Sequence, residues 1–179
     1  MRIIGGFHKG RKIKSIEGNI TRPTADFVRE ALFNIIGNDV VGSNFLDLFA
    51  GTGAVGLEAL SRGAEYAVFV EKNVVACSVI KQNLRDLKLF DKGIVIQSDI
   101  VTVMKKSVLK GNIFDIIFMD PPYFKNQIET TLSILKDSKM AKSTVVVQHP
   151  KDESFKFDGF SCYKQKKYGR TALTFLVKE

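Results

Sequence analysis

The chain reads as a doubly wound, three-layer α/β protein: a mostly parallel seven-stranded sheet ending in an antiparallel C-terminal hairpin. Three observations predict this. From residue 44 onward, short apolar runs alternate with helix-length segments, as βαβ units require. A glycine-rich loop follows the first of those runs. The tail breaks the alternation, because two strand-like runs there meet at Tyr168-Gly169.

The elements follow in order. Arg2–Ile4 and Arg11–Ile16, separated by Gly5, Gly6 and Gly10, are consistent with a hairpin. Thr24 can cap a helix reaching about Ile36, with Phe27, Ala31, Leu32, Ile35 and Ile36 on one face and Gly37 as its stop. Strands are expected at 44–49, 65–70, 93–97, 113–118 and 143–148, and helices near 54–62, 73–88, 100–109 and 126–137. Residues 155–166 and 171–177 form the terminal hairpin. Phe27, Phe33, Phe45, Phe69, Phe114 and Phe118 are expected in the core, and His149 in a structural role. The chain divides into a basic N-terminal extension, 1–22, and an α/β domain, 23–179.

Composition bounds the function. An apolar content of 45% in 179 residues supports a full core and excludes wholesale disorder. Two cysteines cannot build a disulfide framework. No apolar window of about 18 residues is free of charge, and the N-terminus has no long apolar stretch of the secretory kind. A soluble cytoplasmic protein is expected. The net charge of +8 is uneven. Residues 1–22 carry six basic groups against one acid, and 150–179 carry seven against four. The stretch between has 14 of each sign. Two basic ends around a neutral centre point to a polyanionic partner.

Ligands of such sheets bind beyond the carboxyl ends of the strands. After the first strand, Gly51-Thr52-Gly53-Ala54-Val55-Gly56 matches G-x-G-x-x-G between a strand and a helix. The next strand ends at Glu71, whose carboxylate can accept two ribose hydroxyls, and the third is followed by Ser98-Asp99, an acceptor for an adenine amino group. Dinucleotides and S-adenosylmethionine both fit this pattern. Asp47, within the glycine-loop strand and expected to face the cleft, decides between them. A carboxylate there repels a pyrophosphate and suits an ammonium or sulfonium. Phe49, Gly51, Thr52 and Gly53 complete the candidate cofactor contacts. No His or Cys cluster has metal-ligand spacing, so no metal is expected.

The fourth strand ends in Asp120-Pro121-Pro122-Tyr123. Two prolines fix φ and remove two donors, leaving an acceptor-rich turn beside an acid and a ring. Asp120 and the Pro121 carbonyl can accept both N–H groups of an exocyclic amine, aiming its lone pair at a methyl group, while Tyr123 stacks on the base. Such amines are poor nucleophiles, so positioning rather than a strong base would carry the reaction.

The glycine loop followed by Asp-Pro-Pro-Tyr resembles class I S-adenosylmethionine-dependent amino-methyltransferases, with their Rossmann-like fold. Thr21-Arg22-Pro23-Thr24 followed by Arg29-Glu30-Ala31-Leu32-Phe33-Asn34 narrows the resemblance to the bacterial RsmD-like family, which Gly10-Arg11-Lys12 and Gly56-Leu57-Glu58-Ala59-Leu60 also resemble. It methylates a guanine N2 in small-subunit (16S) ribosomal RNA. The resemblance covers essentially the whole chain. It implies cofactor contacts at Asp47, Gly51 to Gly53, Glu71 and Asp99, base contacts at Asp120 to Tyr123, and substrate binding by the basic N-terminal segment. S-adenosylhomocysteine would be the product, and ribosomal RNA or the small subunit the partner of a monomeric enzyme with no membrane association. Candidate RNA contacts are Arg2, Lys9, Arg11, Lys12, Arg22, Arg29, Lys166, Lys167, Tyr168 and Arg170. An adenine-N6 methyltransferase on DNA or RNA, and a cofactor-binding RNA assembly factor without activity, are the rival readings.

Overall fold

A computed structural model describes residues 1–16, 23–105, 113–122, 126–138 and 141–179. The strands are β1 (Asn44–Leu48), β2 (Tyr66–Glu71), β3 (Gly93–Gln97), β4 (Phe114–Met119), β5 (Ala141–Pro150), β6 (Phe160–Tyr168) and β7 (Thr171–Lys178). They form one sheet in the order β3-β2-β1-β4-β5-β7-β6. The pairs from β3 through β5 are parallel, and β7 runs antiparallel to both β5 and β6. The chain winds outward from β1 in both directions, so the switch point lies between β1 and β4, where a crevice opens at the carboxyl ends of the strands.

The helices are α1 (Pro23–Ile36), α2 (Ala54–Ser61), α3 (Val74–Asp86), α4 (Ile100–Lys105) and α5 (Gln127–Asp137). Two cores define the three layers. On one face, Val28, Leu32 and Phe33 of α1, Leu57 and Leu60 of α2, and Ile80 and Leu84 of α3 pack on Phe45, Phe69 and Phe118. On the other, Val103 of α4 and Leu132 and Leu135 of α5 pack on Leu46, Val68, Ile117 and Val147. Strands buried on both faces need the continuous apolar runs seen in β1, β2 and β4.

Several expectations change. Phe27 is 57% exposed, because α1 turns Val28 and Phe33 inward together with Leu32 and Ile36. The first strand of the terminal hairpin begins at Phe160 rather than 155. The helix expected over 100–109 is α4 as far as Lys105, and the rest of that expectation lies outside the described residues.

Among the described residues, an antiparallel bridge joins Arg2 to Lys12 in the N-terminal segment. The segment is fastened to the first core by Ile3 and Ile13, which are 2% and 4% exposed. Glu58 of α2, fully buried, accepts the Ile4 and Gly5 amides at 2.8 and 2.7 Å and pairs with Arg62 at 2.9 Å. Ser61 adds a bond from its Oγ to the Gly5 carbonyl, and its Oγ accepts from the His8 amide.

Candidate active site

The site is built by sheet register. On the α1–α3 face, side chains alternate so that Phe45 and Asp47, and Phe69 and Glu71, share one side of the sheet. Asp47 lies level with Phe69 and Phe118. Carrying the parallel registers one residue further sets Phe49, Glu71, Asp120 and Gln148 in a single row along the sheet's carboxyl edge.

Asp47 is 1% exposed and does not line the cleft, contrary to the orientation expected from its strand. Its Oδ2 accepts the Gly56 amide at 2.9 Å. The residue before α2 is Gly53, which has no side chain to cap the helix, so the neighbouring strand supplies the acceptor. Burial pushes the Asp47 carboxyl up to about 7; the Gly56 amide opposes this, and the charges of Asp120 and Glu71 add to it. Gly56 is demanded by helix–strand approach, because a Cβ there would stand 2.3 Å from the Phe69 ring.

The loop after β1 turns through left-handed conformations at Phe49 (φ 62°), Gly51 (φ 54°) and Gly53 (φ 77°). A bulky aromatic in this region is unusual and is held by its surroundings. Glu71 ties the loop down. Its Oε2 accepts the Gly51 amide and its Oε1 the Asn73 amide, both at 2.8 Å. Each oxygen keeps a further lone pair for a ligand hydroxyl. Asp99 is exposed, and its Oδ1 accepts the Thr102 amide at 2.9 Å, capping α4. Hydrogen bonds from Thr102 hold its carboxyl below the usual value.

Asp120 follows β4 directly. Its Oδ2 accepts from the Gln148 side-chain amide at 2.9 Å, and burial pushes its carboxyl up to about 7. Pro121 is buried and Pro122 exposed. Tyr123 lies outside the described residues.

A cleft of about 470 Å³ joins the two halves of the site. Phe49, Glu71, Ser98 and Asp99 line one part, and Asp120 and Pro122 the other. Gly51, Thr52, Gly53 and Pro121 are not among the cleft's lining residues. Two contributors carry no motif. Gln148 is a strand residue brought to Asp120 by pairing alone. Gln127, in the first turn of α5, lines the cleft with its Oε1 buried and unpartnered among the described residues. Nothing in the local sequence marks either one; only the strand order does so for Gln148. Among the described residues, no group of three or more His, Cys, Asp or Glu could hold a metal ion.

Of the expected RNA contacts, Arg2, Lys9, Arg11 and Lys12 are exposed, as are Lys166, Lys167 and Arg170, while Tyr168 is half-buried. Arg22 lies outside the described residues. Arg29 requires correction. It is 4% exposed, donates to the Arg2 carbonyl at 2.6 Å, and lies 3.4 Å from Glu58 and 3.3 Å from Asp26. It clamps the N-terminal segment onto α1 and α2 and is not available to a phosphate. His149 is structural as expected: it is 2% exposed, with Nδ1 on the Pro150 carbonyl and Nε2 on the Thr174 hydroxyl, both at 2.8 Å.

This strand order, with an acidic row at the switch point and an antiparallel terminal hairpin, defines a Rossmann-like fold of the class I methyltransferase type. The solved structure of the Escherichia coli protein yhhF superposes with a TM-score of 0.85 at 31% identity, covering 100% of this chain and 98% of that one. An RNA methyltransferase from Salinibacter ruber, solved with S-adenosyl-L-homocysteine, shares the fold at a TM-score of 0.65 and 15% identity, covering 89% of this chain and 95% of that one. A family model described as conserved hypothetical protein 95 matches residues 1–177. The ribosomal RNA small subunit methyltransferase D of Escherichia coli strain K12 is 38% identical over 138 residues, 77% of this chain and 68% of that protein. Its Haemophilus influenzae namesake is 35% identical over 148 residues, 82% and 76% of the two chains. The chain belongs to this family, that of ribosomal RNA small subunit methyltransferase D.

Proposed function

We propose that this protein transfers a methyl group from S-adenosylmethionine to the exocyclic N2 amine of a guanine in small-subunit ribosomal RNA. It would act as a cytoplasmic monomer, with the segment 1–22 as a docking extension to a catalytic domain, 23–179. The observation that carries the reading is that Asp120 and Pro122 line the same cleft as Glu71 and Asp99. The names of the relatives, ribosomal RNA small subunit methyltransferases, support the substrate class.

The donor set fits the cofactor. The charges of Glu71 and Asp120, which line the cleft, are felt at the buried Asp47 of β1, and this group of acids makes that end of the cleft favourable for a cation. Glu71 would receive the ribose hydroxyls on its remaining lone pairs, Asp99 the adenine amino group, and Phe49 an apolar face. The unpartnered Gln127 oxygen supports a polar ligand at the α5 end. S-adenosylmethionine supplies an electrophilic methyl on a positively charged sulfur. The target guanine leaves its stack, at a cost of a few kcal/mol, and Asp120 and the Pro121 carbonyl accept its two N2 hydrogens. That arrangement turns the nitrogen lone pair out of the ring plane. Gln148 holds the Asp120 carboxylate in this orientation. As the N–CH₃ bond forms and the S–CH₃ bond breaks, its electron pair would return to sulfur to leave S-adenosylhomocysteine; Asp120 disperses the positive charge on nitrogen, and the proton leaves to solvent.

The test offers radiolabelled S-adenosylmethionine with naked ribosomal RNA, small-subunit particles or duplex DNA, followed by nucleoside mapping. Label in N2-methylguanine is expected. Label in N6-methyladenine, or in DNA alone, would overturn the reading. Asp120→Ala should abolish transfer while cofactor binding survives; binding without any transfer by the native chain would favour the assembly-factor reading.

A further inference from the structure

The outer edge of the sheet has a sidedness that composition hides. Ser161 through Lys167 of β6 are exposed without interruption. Exposed lysines alone are ordinary protection of an edge strand. Register sorts these ones. Lys166 is level with Leu173, which is level with Gln148, so Lys166 stands on the face that carries Asp120. Lys167 is level with Ala172 and hence with His149, on the opposite face. Burial is the main cause that lowers the His149 pKa, and the Lys167 charge adds to it, which agrees with that side.

The aromatic residues share the Asp120 side. A register shift between Cys162 and Lys164 turns Tyr163 onto Phe175, with ring centroids 6.0 Å apart. Tyr168 meets Phe27 edge to face at 5.7 Å. Tyr163 and Phe27 are nevertheless 53% and 57% exposed. Lys164 is level with Phe175, which shares a core cluster with Leu173, so it stands on the same face as Lys166. Two large rings left in solvent on the face that carries these two lysines form a basic–aromatic surface of the kind that holds single-stranded nucleic acid. Three strand spacings, about 14 Å, separate Lys166 from Asp120.

We propose that this face of β6, together with Phe27 of α1, is the track for the single-stranded RNA flanking the target base. Lys164 and Lys166 take backbone phosphates, and Tyr163 and the Phe27–Tyr168 pair stack on bases. The opposite face, with Lys167, takes no part. The assignment rests on the proposed reaction for the identity of the Asp120 pocket.

The experiment measures anisotropy of a fluorescein-labelled, unstructured 20-nucleotide RNA binding to the full chain over a salt series. KM and kcat for methylation of small-subunit particles are measured in parallel. The Lys164→Ala/Lys166→Ala variant should flatten the log affinity against log salt slope by about 1.4, at roughly 0.7 per phosphate contact on a single strand. It should also raise KM with kcat within about twofold. Phe27→Leu, which keeps an apolar side chain but no ring, should weaken binding by about fivefold or more. Lys167→Ala should leave slope and KM close to those of the native chain. Equal losses from Lys166→Ala and Lys167→Ala, or none from any of these variants, would overturn the track. Competition by double-stranded RNA as strong as by single-stranded RNA would overturn it as well. If no RNA is methylated but the oligonucleotide binds with this sidedness, the reaction fails and the surface stands. If methylation proceeds unaffected in every variant, the surface fails and the reaction stands.

Discussion

Gln148 has one bond that matters to the site, its 2.9 Å donation to Asp120 Oδ2. A hydrogen bond to a charged group contributes about 1.5–3 kcal/mol, which corresponds to about 10–100-fold in rate. Gln148→Leu should therefore lower kcat by that factor, with the Kd for S-adenosylmethionine unchanged within about twofold. It should also move the acidic limb of the pH–rate profile upward, because the ionised Asp120 loses a donor. Steady-state kinetics from pH 6 to 9, with calorimetric binding alongside, check both. Asp47 and Asp120 both titrate near neutrality, pushed up to about 7 chiefly by burial. Folding thus takes up protons at these groups between the ordinary carboxyl value and about pH 7. Their contribution to stability is present at low pH and is lost as pH rises through about 7. A cation bound beside them lowers both pKa values, so S-adenosylmethionine binding at pH 7 should release protons. S-adenosylhomocysteine, without the sulfonium charge, should release fewer. Calorimetry in buffers of different ionisation enthalpy measures the difference. Asp47 was legible as an unusual acid in an apolar strand, but not its orientation. Which way the side chain turns depends on the uncapped start of α2 packed against it.

At the scale of elements, α2 lies close against β2 because Gly56 has no side chain. Gly56→Ala should cost about 1–3 kcal/mol through the clash with Phe69, read as a lowered denaturation midpoint with an unchanged m-value. The same short helix carries Glu58, which holds two amides of the N-terminal segment and two arginines. Glu58→Ala leaves buried charge unpaired and should cost about 3–5 kcal/mol, a fall in Tm on the order of 10 °C. Limited proteolysis should then cut within residues 1–16. Element positions were largely legible, since βα alternation and turn residues are local signals. The helical face of α1 was not. Two apolar stripes about one residue apart compete there, and the sheet accepts Val28 and Phe33 while leaving Phe27 to Tyr168. Arg29 was misread for a related reason: helical periodicity does not reveal that Glu58 waits on the neighbouring helix.

Across the whole molecule, the excess charge sits at the two ends of a chain whose middle is neutral. Lys9 and Lys12 are exposed, so Lys9→Gln/Lys12→Gln should leave Tm unchanged. If the N-terminal segment touches phosphates, the slope of log affinity against log salt for a ribosomal RNA fragment should flatten by about 1.4 for single-stranded contacts. An unaltered slope would remove this segment from the RNA surface. The sequence alone determined the α/β class, the switch-point location of the site and the acids around it, because these depend on periodicity and on motifs contiguous in the chain. Tertiary structure decided what contiguity cannot encode. Pairing of β4 with β5 brought Gln148 to Asp120, burial turned Arg29 from a phosphate ligand into a clamp, and the two-residue alternation of β6 divided its lysines between opposite faces. Each outcome depends on which surface a residue meets across the sheet, and that is fixed only when strands far apart in the chain are placed side by side.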